Sequence, residues 1–325
     1  LELLKPPKLT AGSIIGVIAP SHPVPPFQES YDRGIRNLKK FGFNVKEGKT
    51  VKLQHMGYMA GTDRERADDI NAMFADEEVG AIVCALGGSI AIRCLRYLDY
   101  DVIKRNPKIF SGMSNITTFH IAFLAKTGLS GLHQTDVVFG FGADMNSDEA
   151  KYETDLFFRI AENPEPLGLL PAFTEWEVWR EGRAKGKLFG GSINSAETLL
   201  GTPYYPKLSE DIIFFWESIG QPLDELDAKF THFRESGIFD RTKGMLIGKF
   251  RDEVPDSSSK TGQGIRDRAN EIRGLVMDIT AGYDFPIIGN MDFGHHTPNL
   301  PMPMGIKAEM DTNGMKVWLK ESYVN

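Results

Sequence analysis

Three short stretches of this chain carry side chains that could transfer an acyl group. In "FSGMSNITTFH", residues 110–120, an apolar run stops at Gly112, Ser114 follows two residues later, and a helical pattern begins at once. In "IIFFWES" an apolar run ends on Glu217, and in "FGHHTPN" His295 and His296 stand in a Gly/Pro-rich loop after the run "FPIIGN". Acyl transfer by serine needs a base within hydrogen-bond reach, a carboxylate to orient that base, and donors for the oxyanion. Ser, Glu and His in this chain order supply the right types, and triad order varies between folds.

Strand, glycine, one residue, serine, helix is the layout of a nucleophile elbow, although Ile116 stands where the second glycine of G-x-S-x-G would be. A helix start leaves its first N–H groups unpaired, so the amide of Asn115 can face an oxyanion. The same serine also reads as an ordinary helix cap. Gly87-Gly88, directly after "VGAIVCAL", either brings backbone N–H groups close to a ligand or makes a plain tight turn. Glu217 either caps a solvated strand end or orients a histidine. The adjacent histidines do not suggest a metal: neighbouring side chains diverge, and no ligand partner stands at metal-binding spacing. His120 falls on an apolar helix face and reads as a core residue, while His22, His55, His133 and His232 lack a strong context.

These residues need strands and helices to hold them. Strands are expected at Ile14–Ala19, in "FNVKEG", in "VGAIVCAL" and in "PKIFSG", with helices between them. "GTDRERADDINAMFAD" reads as a helix capped by Thr62 or Asp63. Alternation of this kind predicts an α/β fold with a largely parallel sheet, whose functional groups gather at the carboxyl ends of the strands. Residues 1–145 form the first expected domain and 146–185 a linker or lid. Residues 186–325 form a second unit with strands at "DIIFFWES", "GMLIGKF" and "FPIIGN" and a closing hairpin around Asn313-Gly314. "VPDSSSKTGQG" reads as a mobile loop.

The net charge of −7 offers no electrostatic reason for nucleic-acid or anionic-lipid binding. No apolar run is long enough to span a membrane. The two cysteines, Cys84 and Cys94, have neither metal nor disulfide-framework spacing, which fits a reducing, cytoplasmic setting. "LELLKPPKLTAGS" has no signal-peptide layout. From the residues alone, a serine hydrolase stands beside a non-catalytic protein that binds a small peptide in an interdomain cleft.

Six ordered blocks resemble the LD-carboxypeptidase family of serine peptidases, which includes a microcin C self-immunity branch. They are "KPPKLTAGSIIGVIAPS", "GYMAGTDRERADDINAMFADEEVGAIVCALGG", "RYLDYDVIKRNPKIFSGMSNITTFHIAFLAKTG", "GKLFGGSINSAETLLGTPY", "FFWES" and "FGHHTPNLPMPMG". The resemblance implies a Rossmann- or flavodoxin-like N-terminal domain carrying the nucleophile. It also implies a C-terminal α/β domain with β-barrel character, and a cytoplasmic homodimer. It makes Ser114 the nucleophile, His295 the base and Glu217 the orienting acid, with the amides of Asn115 and Gly88 as the oxyanion hole. It implies no cofactor and a substrate amide beside a free carboxylate, in a small peptide or a peptidyl-nucleotide. Gly87 is a candidate substrate-binding residue. Arg93 and Arg180 are candidates to seat the carboxylate, and Trp179 either stacks on a base or packs in a core. The family's usual Asp after the nucleophile and after the acid are Asn115 and Ser218 here, which reads as substrate tuning.

Overall fold

The computed structural model describes residues 2–250, 262–295 and 298–325. The first sheet is built from β1 (Ile14–Ile18), β2 (Asn44–Glu47), β3 (Val79–Cys84), β4 (Ile109–Gly112) and β5 (Leu132–His133). Its helices are α1 (Gln28–Lys40), α2 (Asp63–Ala75), α3 (Tyr100–Arg105) and α4 (Thr117–Thr127), followed by α5 (Asp148–Glu162). The second sheet uses β6 (Gly168–Leu169), β7 (Glu177–Arg180), β8 (Arg183–Ser192), β9 (Ile212–Glu217), β10 (Thr242–Gly248) and β11 (Ile287–Met291). Then come β12 (Met302–Pro303), β13 (Lys307–Asp311) and β14 (Lys316–Leu319), and the helices of this half are α6 (Ile193–Glu197), α7 (Leu223–Glu235), α8 (Ile238–Arg241) and α9 (Gly262–Ile279).

The first sheet runs β12-β5-β4-β3-β1-β2, parallel except where β12 pairs antiparallel with β5. Strands β1, β3 and β4 are almost wholly buried, as expected of parallel strands covered by helices on both faces. Strand order reverses between β1 and β3, and such a switch point opens a crevice beyond the carboxyl ends of the two strands. Ser21, His22, Gly87 and Gly88 all follow those ends. The second sheet is eight-stranded, in the order β6-β14-β13-β8-β9-β10-β11-β7. Its centre, β8-β9-β10-β11, is parallel, and the expected closing hairpin is the antiparallel pair β13–β14.

Local chemistry sets several boundaries. Thr62 and Glu65 close a reciprocal capping box at the start of α2. Gly128 ends α4 in the left-handed region at φ 82°, where a side chain would be strained. The segment "IAIRCLRYLD", expected to be helical, forms a 3-10 stretch at Ala91–Tyr97. Residues 146–185 are packed into the body: α5 sets Phe157 edge-on against Phe141, and Ala161 O accepts from Leu9 N. The loop expected within 254–264 lies, but for its last residues, outside the described residues. Among the described residues no helix is long and apolar enough to cross a membrane.

Candidate active site

Ser114 is held in an unusual backbone conformation. Strand β4 ends at Gly112, and Ser114 has φ 59°, a left-handed value that costs a non-glycine residue about 1–2 kcal/mol. A 3-10 turn, Ser114–Ile116, then leads into α4. Ser114 makes no side-chain capping bond at this start, so its geometry is that of a sharp strand-to-helix elbow rather than an ordinary cap. His120, fully buried on α4, bonds through Nε2 to Gly112 O at 3.0 Å and braces the strand end. Burial pushes its pKa down to about 3, so it is a neutral core histidine, as its place on the apolar face suggests.

The glycine pair is fitted around this elbow. A methyl group on Gly87 would lie 2.7 Å from Ser114 Cβ, closer than real Cβ contacts come, and a tight 3.2 Å from Asn115 N. Gly88 has φ 147°, and a methyl there would meet Ser21 Oγ at 2.4 Å. Gly87 O accepts from His22 N at 3.0 Å. A trans peptide points its carbonyl and its N–H in opposite directions, so the Gly88 N–H is directed away from His22. The Asn115 side chain is buried and fully engaged. Its Oδ1 accepts from Ser21 Oγ and from Ala91 N, both at 2.8 Å, and its Nδ2 donates to Ser195 Oγ at 3.1 Å. Asn115 therefore ties the β1 loop, the 3-10 stretch and α6 to the elbow.

Glu217 ends β9 and is completely buried. Its Oε2 lies 2.5 Å from Nδ1 of His295, which is 14% exposed in the loop after β11. Gly294 makes this contact possible. It sits at φ 115°, and a methyl there would press on Glu217 Cβ at 2.9 Å. Burial alone would push the Glu217 carboxyl up, but the charge of His295 and their hydrogen bond, helped by His133, hold it below its ordinary value. His133 Nε2 stands 4.0 Å from the other oxygen, Oε1, and burial pushes the His133 pKa down to about 4.

Ser114, Gly87, Gly88, Glu153, Asp136 and His295 line one cavity of about 950 Å³, completed by residues including His22, Phe27, Phe139 and Asn299. Its size suits a small ligand. Glu217 stands behind His295, as an orienting group should. The remaining candidates lie elsewhere. Arg93 pairs with Asp63 at 3.0 Å. Arg180 donates through Nη2 to Thr280 Oγ1 at 2.9 Å and through Nη1 to Phe285 O at 3.3 Å, which pins β7 to the end of α9. Trp179 is 5% exposed, with its ring pressed onto Gly289. None of the three lines the cavity, because packing and ion pairs inside the chain already occupy them. His296 lies outside the described residues. Among the described residues no cluster of three or more side chains could hold a metal ion.

Sequence reasoning passed over Asp136, Glu153 and Asn299. Glu153 had a visible signal: on α5 it shares the helical spacing of Ala150, Phe157 and Ile160, a charge on the buried face. Asp136 follows the end of β5, which in a parallel sheet is the functional edge.

The chain is an α/β protein with two sheets, and a serine at φ 59° stands beside the crevice at the switch point of its parallel sheet. Residues 15–134 match the LD-carboxypeptidase N-terminal domain and residues 185–310 match the LD-carboxypeptidase C-terminal domain. The chain belongs to the LD-carboxypeptidase family and is a carboxypeptidase-type enzyme. It is 32% identical to a probable murein peptide carboxypeptidase of Bacillus subtilis, over 95% of this chain and 92% of that one. It is 25% identical to the microcin C7 self-immunity protein MccF of Escherichia coli, over 98% and 96% of the two chains. The fold matches MccF solved in complex with aspartyl sulfamoyl adenosine, with a TM-score of 0.86 at 22% identity, covering 99% and 100% of the chains.

Proposed function

We propose that this protein hydrolyses an amide beside a free carboxylate through a Ser114-His295-Glu217 triad. The observation that carries the reading is the 2.5 Å contact between His295 Nδ1 and the buried Glu217, with His295 and Ser114 lining one cavity. Glu217 accepts a hydrogen bond from the Nδ1–H of His295, which sets the tautomer whose Nε2 is basic, and it stabilises the imidazolium that forms. His295 takes the proton of Ser114 as its oxygen attacks the scissile carbonyl. The amides of Asn115 and Gly88 receive the oxyanion, and each such donor is worth roughly 3 kcal/mol of transition-state stabilisation. His295 then protonates the leaving amine, and a water that it activates releases the acyl group.

The relatives frame two substrate branches: a murein peptide, after the Bacillus subtilis relative, or an aspartyl-nucleotide conjugate, after the compound bound to MccF. A cytoplasmic homodimer completes the proposal, and sedimentation tests the dimer. The deciding experiment offers wild type and Ser114→Ala a murein tetrapeptide ending in D-alanine and an aspartyl-sulfamoyl nucleotide. Cleavage of one, abolished by the substitution, selects the branch. Binding of either without cleavage by wild type would instead mark a small-peptide binding protein.

A further inference from the structure

The triad leaves two carboxylates of the cavity unused. Asp136 and Glu153 are each 2% exposed and reach the cavity from different elements, the segment after β5 and the buried face of α5. One oxygen of each is engaged by backbone. Glu153 Oε2 accepts from Asn299 N at 3.0 Å, and Asp136 Oδ1 accepts from Phe139 N at 2.7 Å. The second oxygen of Glu153, Oε1, is buried and makes no hydrogen bond of full geometry; the Thr135 hydroxyl near it points to Asp136 O at 3.3 Å and lends it only a weak interaction. Burial pushes both carboxyls up to about 7, and for Asp136 the neighbouring Glu153 adds to the rise. Among the described residues that line the cavity there is no Lys or Arg, and its other titratable side chains are His22 and His295.

Asp136 and Glu153 disfavour a carboxylate placed directly against them and suit a donor that brings its own positive charge. A primary ammonium has three N–H donors and no acceptor, and its hydrogen bonds to carboxylates are charge-assisted. We propose that Asp136 and Glu153 seat a protonated primary amine on the acyl half of the substrate, so that the enzyme selects acyl groups carrying a free amine close to the scissile carbonyl. The proposal rests on Ser114 being the nucleophile in the same cavity. It differs from a purely structural role, which Glu153 could also play. Asn299, bonded to Glu153, holds Gly294 N through Oδ1 at 2.7 Å, and Gly294 precedes His295. A structural role would slow every substrate equally, whereas an amine seat discriminates between them.

The test uses three amides of one leaving amine: aspartyl, N-acetyl-aspartyl and succinyl, the last lacking only the amino group. Wild type should cleave the aspartyl amide with kcat/KM at least tenfold above the other two, and Glu153→Gln and Asp136→Asn should each bring that ratio toward one. Calorimetric binding of the same three compounds to Ser114→Ala reads the preference without turnover and needs no change in the acidic wall. Equal binding of all three, or a ratio that survives both acidic-wall substitutions, overturns the amine seat. Tenfold tighter binding of the aspartyl amide with no cleavage by wild type keeps the seat and overturns the nucleophile instead.

Discussion

Ser114 occupies the space that a side chain on Gly87 would need: a methyl there would stand 2.7 Å from Ser114 Cβ and 3.0 Å from Ser114 Oγ. The diglycine after β3 and the elbow after β4 are therefore one unit, formed by two neighbouring strands of a parallel sheet. Gly87→Ala should push Ser114 aside while leaving the sheet intact. Misplacement on the scale of 1 Å can cost about 100-fold in rate, so kcat should fall by that order with a far-ultraviolet spectrum like wild type. Activity within threefold of wild type would mean that Ser114 is not the reacting group.

Ser114 pays a conformational cost at φ 59°. Alanine keeps that cost and glycine removes it. Ser114→Gly should therefore be more stable than Ser114→Ala by about 1 kcal/mol in urea unfolding, with both variants at least about 1,000-fold less active than wild type. Equal stability of the two would show that the elbow is relaxed in solution.

Glu217 orients His295 from a fully buried position. Glu217→Gln keeps the shape but loses the negative charge that offsets the imidazolium, and its amide N–H₂ can hold His295 in the wrong tautomer. Its kcat should fall by about 10⁴-fold, the scale seen when an orienting carboxylate becomes an amide. The double variant Glu217→Gln, His295→Ala should be hardly worse than His295→Ala alone, because members of a triad act as a unit. Losses that multiply in the double variant would place the two residues in separate roles.

Two buried histidines make stability depend on pH. Burial lowers His120 to about 3 and His133 to about 4. Below the ordinary histidine value of about 6.5 the unfolded chain takes up protons that the folded chain refuses. Stability should be complete above that value and fall as pH drops toward 4, by up to about 1.4 kcal/mol per pH unit for each histidine. His120→Gln, which can still donate toward Gly112 O, should flatten this slope between pH 6.5 and 4 in thermal melts. An unchanged slope would show that His120 is protonated in the fold.

Neither residue of the α2 capping box lines the cavity. Thr62→Ala removes the acceptor for Glu65 N and should cost about 1 kcal/mol of stability. Its kcat/KM should stay within twofold of wild type, which separates stability from catalysis in one assay pair.

What the chain declares locally, it declares well. The α2 cap needs only Thr62 and Glu65 at a fixed spacing, Gly128 needs only to follow an apolar helix, and the strand–Gly112–Ser114–helix order is written in consecutive residues. Strand ends could be read as well, because buried parallel strands are continuous apolar runs with abrupt polar stops, and this put Ser114, Glu217 and His295 forward together. Tertiary structure alone decided which neighbours each group meets. The His295–Glu217 contact joins residues 78 apart, and the Glu153–Asn299 contact joins residues 146 apart. No periodicity reports such separations. Arg93, Trp179 and Arg180 had suitable chemistry, but ion pairing and packing within the chain claimed them first. Asp136 and Glu153 carried a charge on buried positions, and only the folding of α5 and the Asn299 loop around the cavity turned that apparent misfit into an acidic wall. A residue type can be read from the sequence, but its environment is set by contacts that exist only once distant segments have packed.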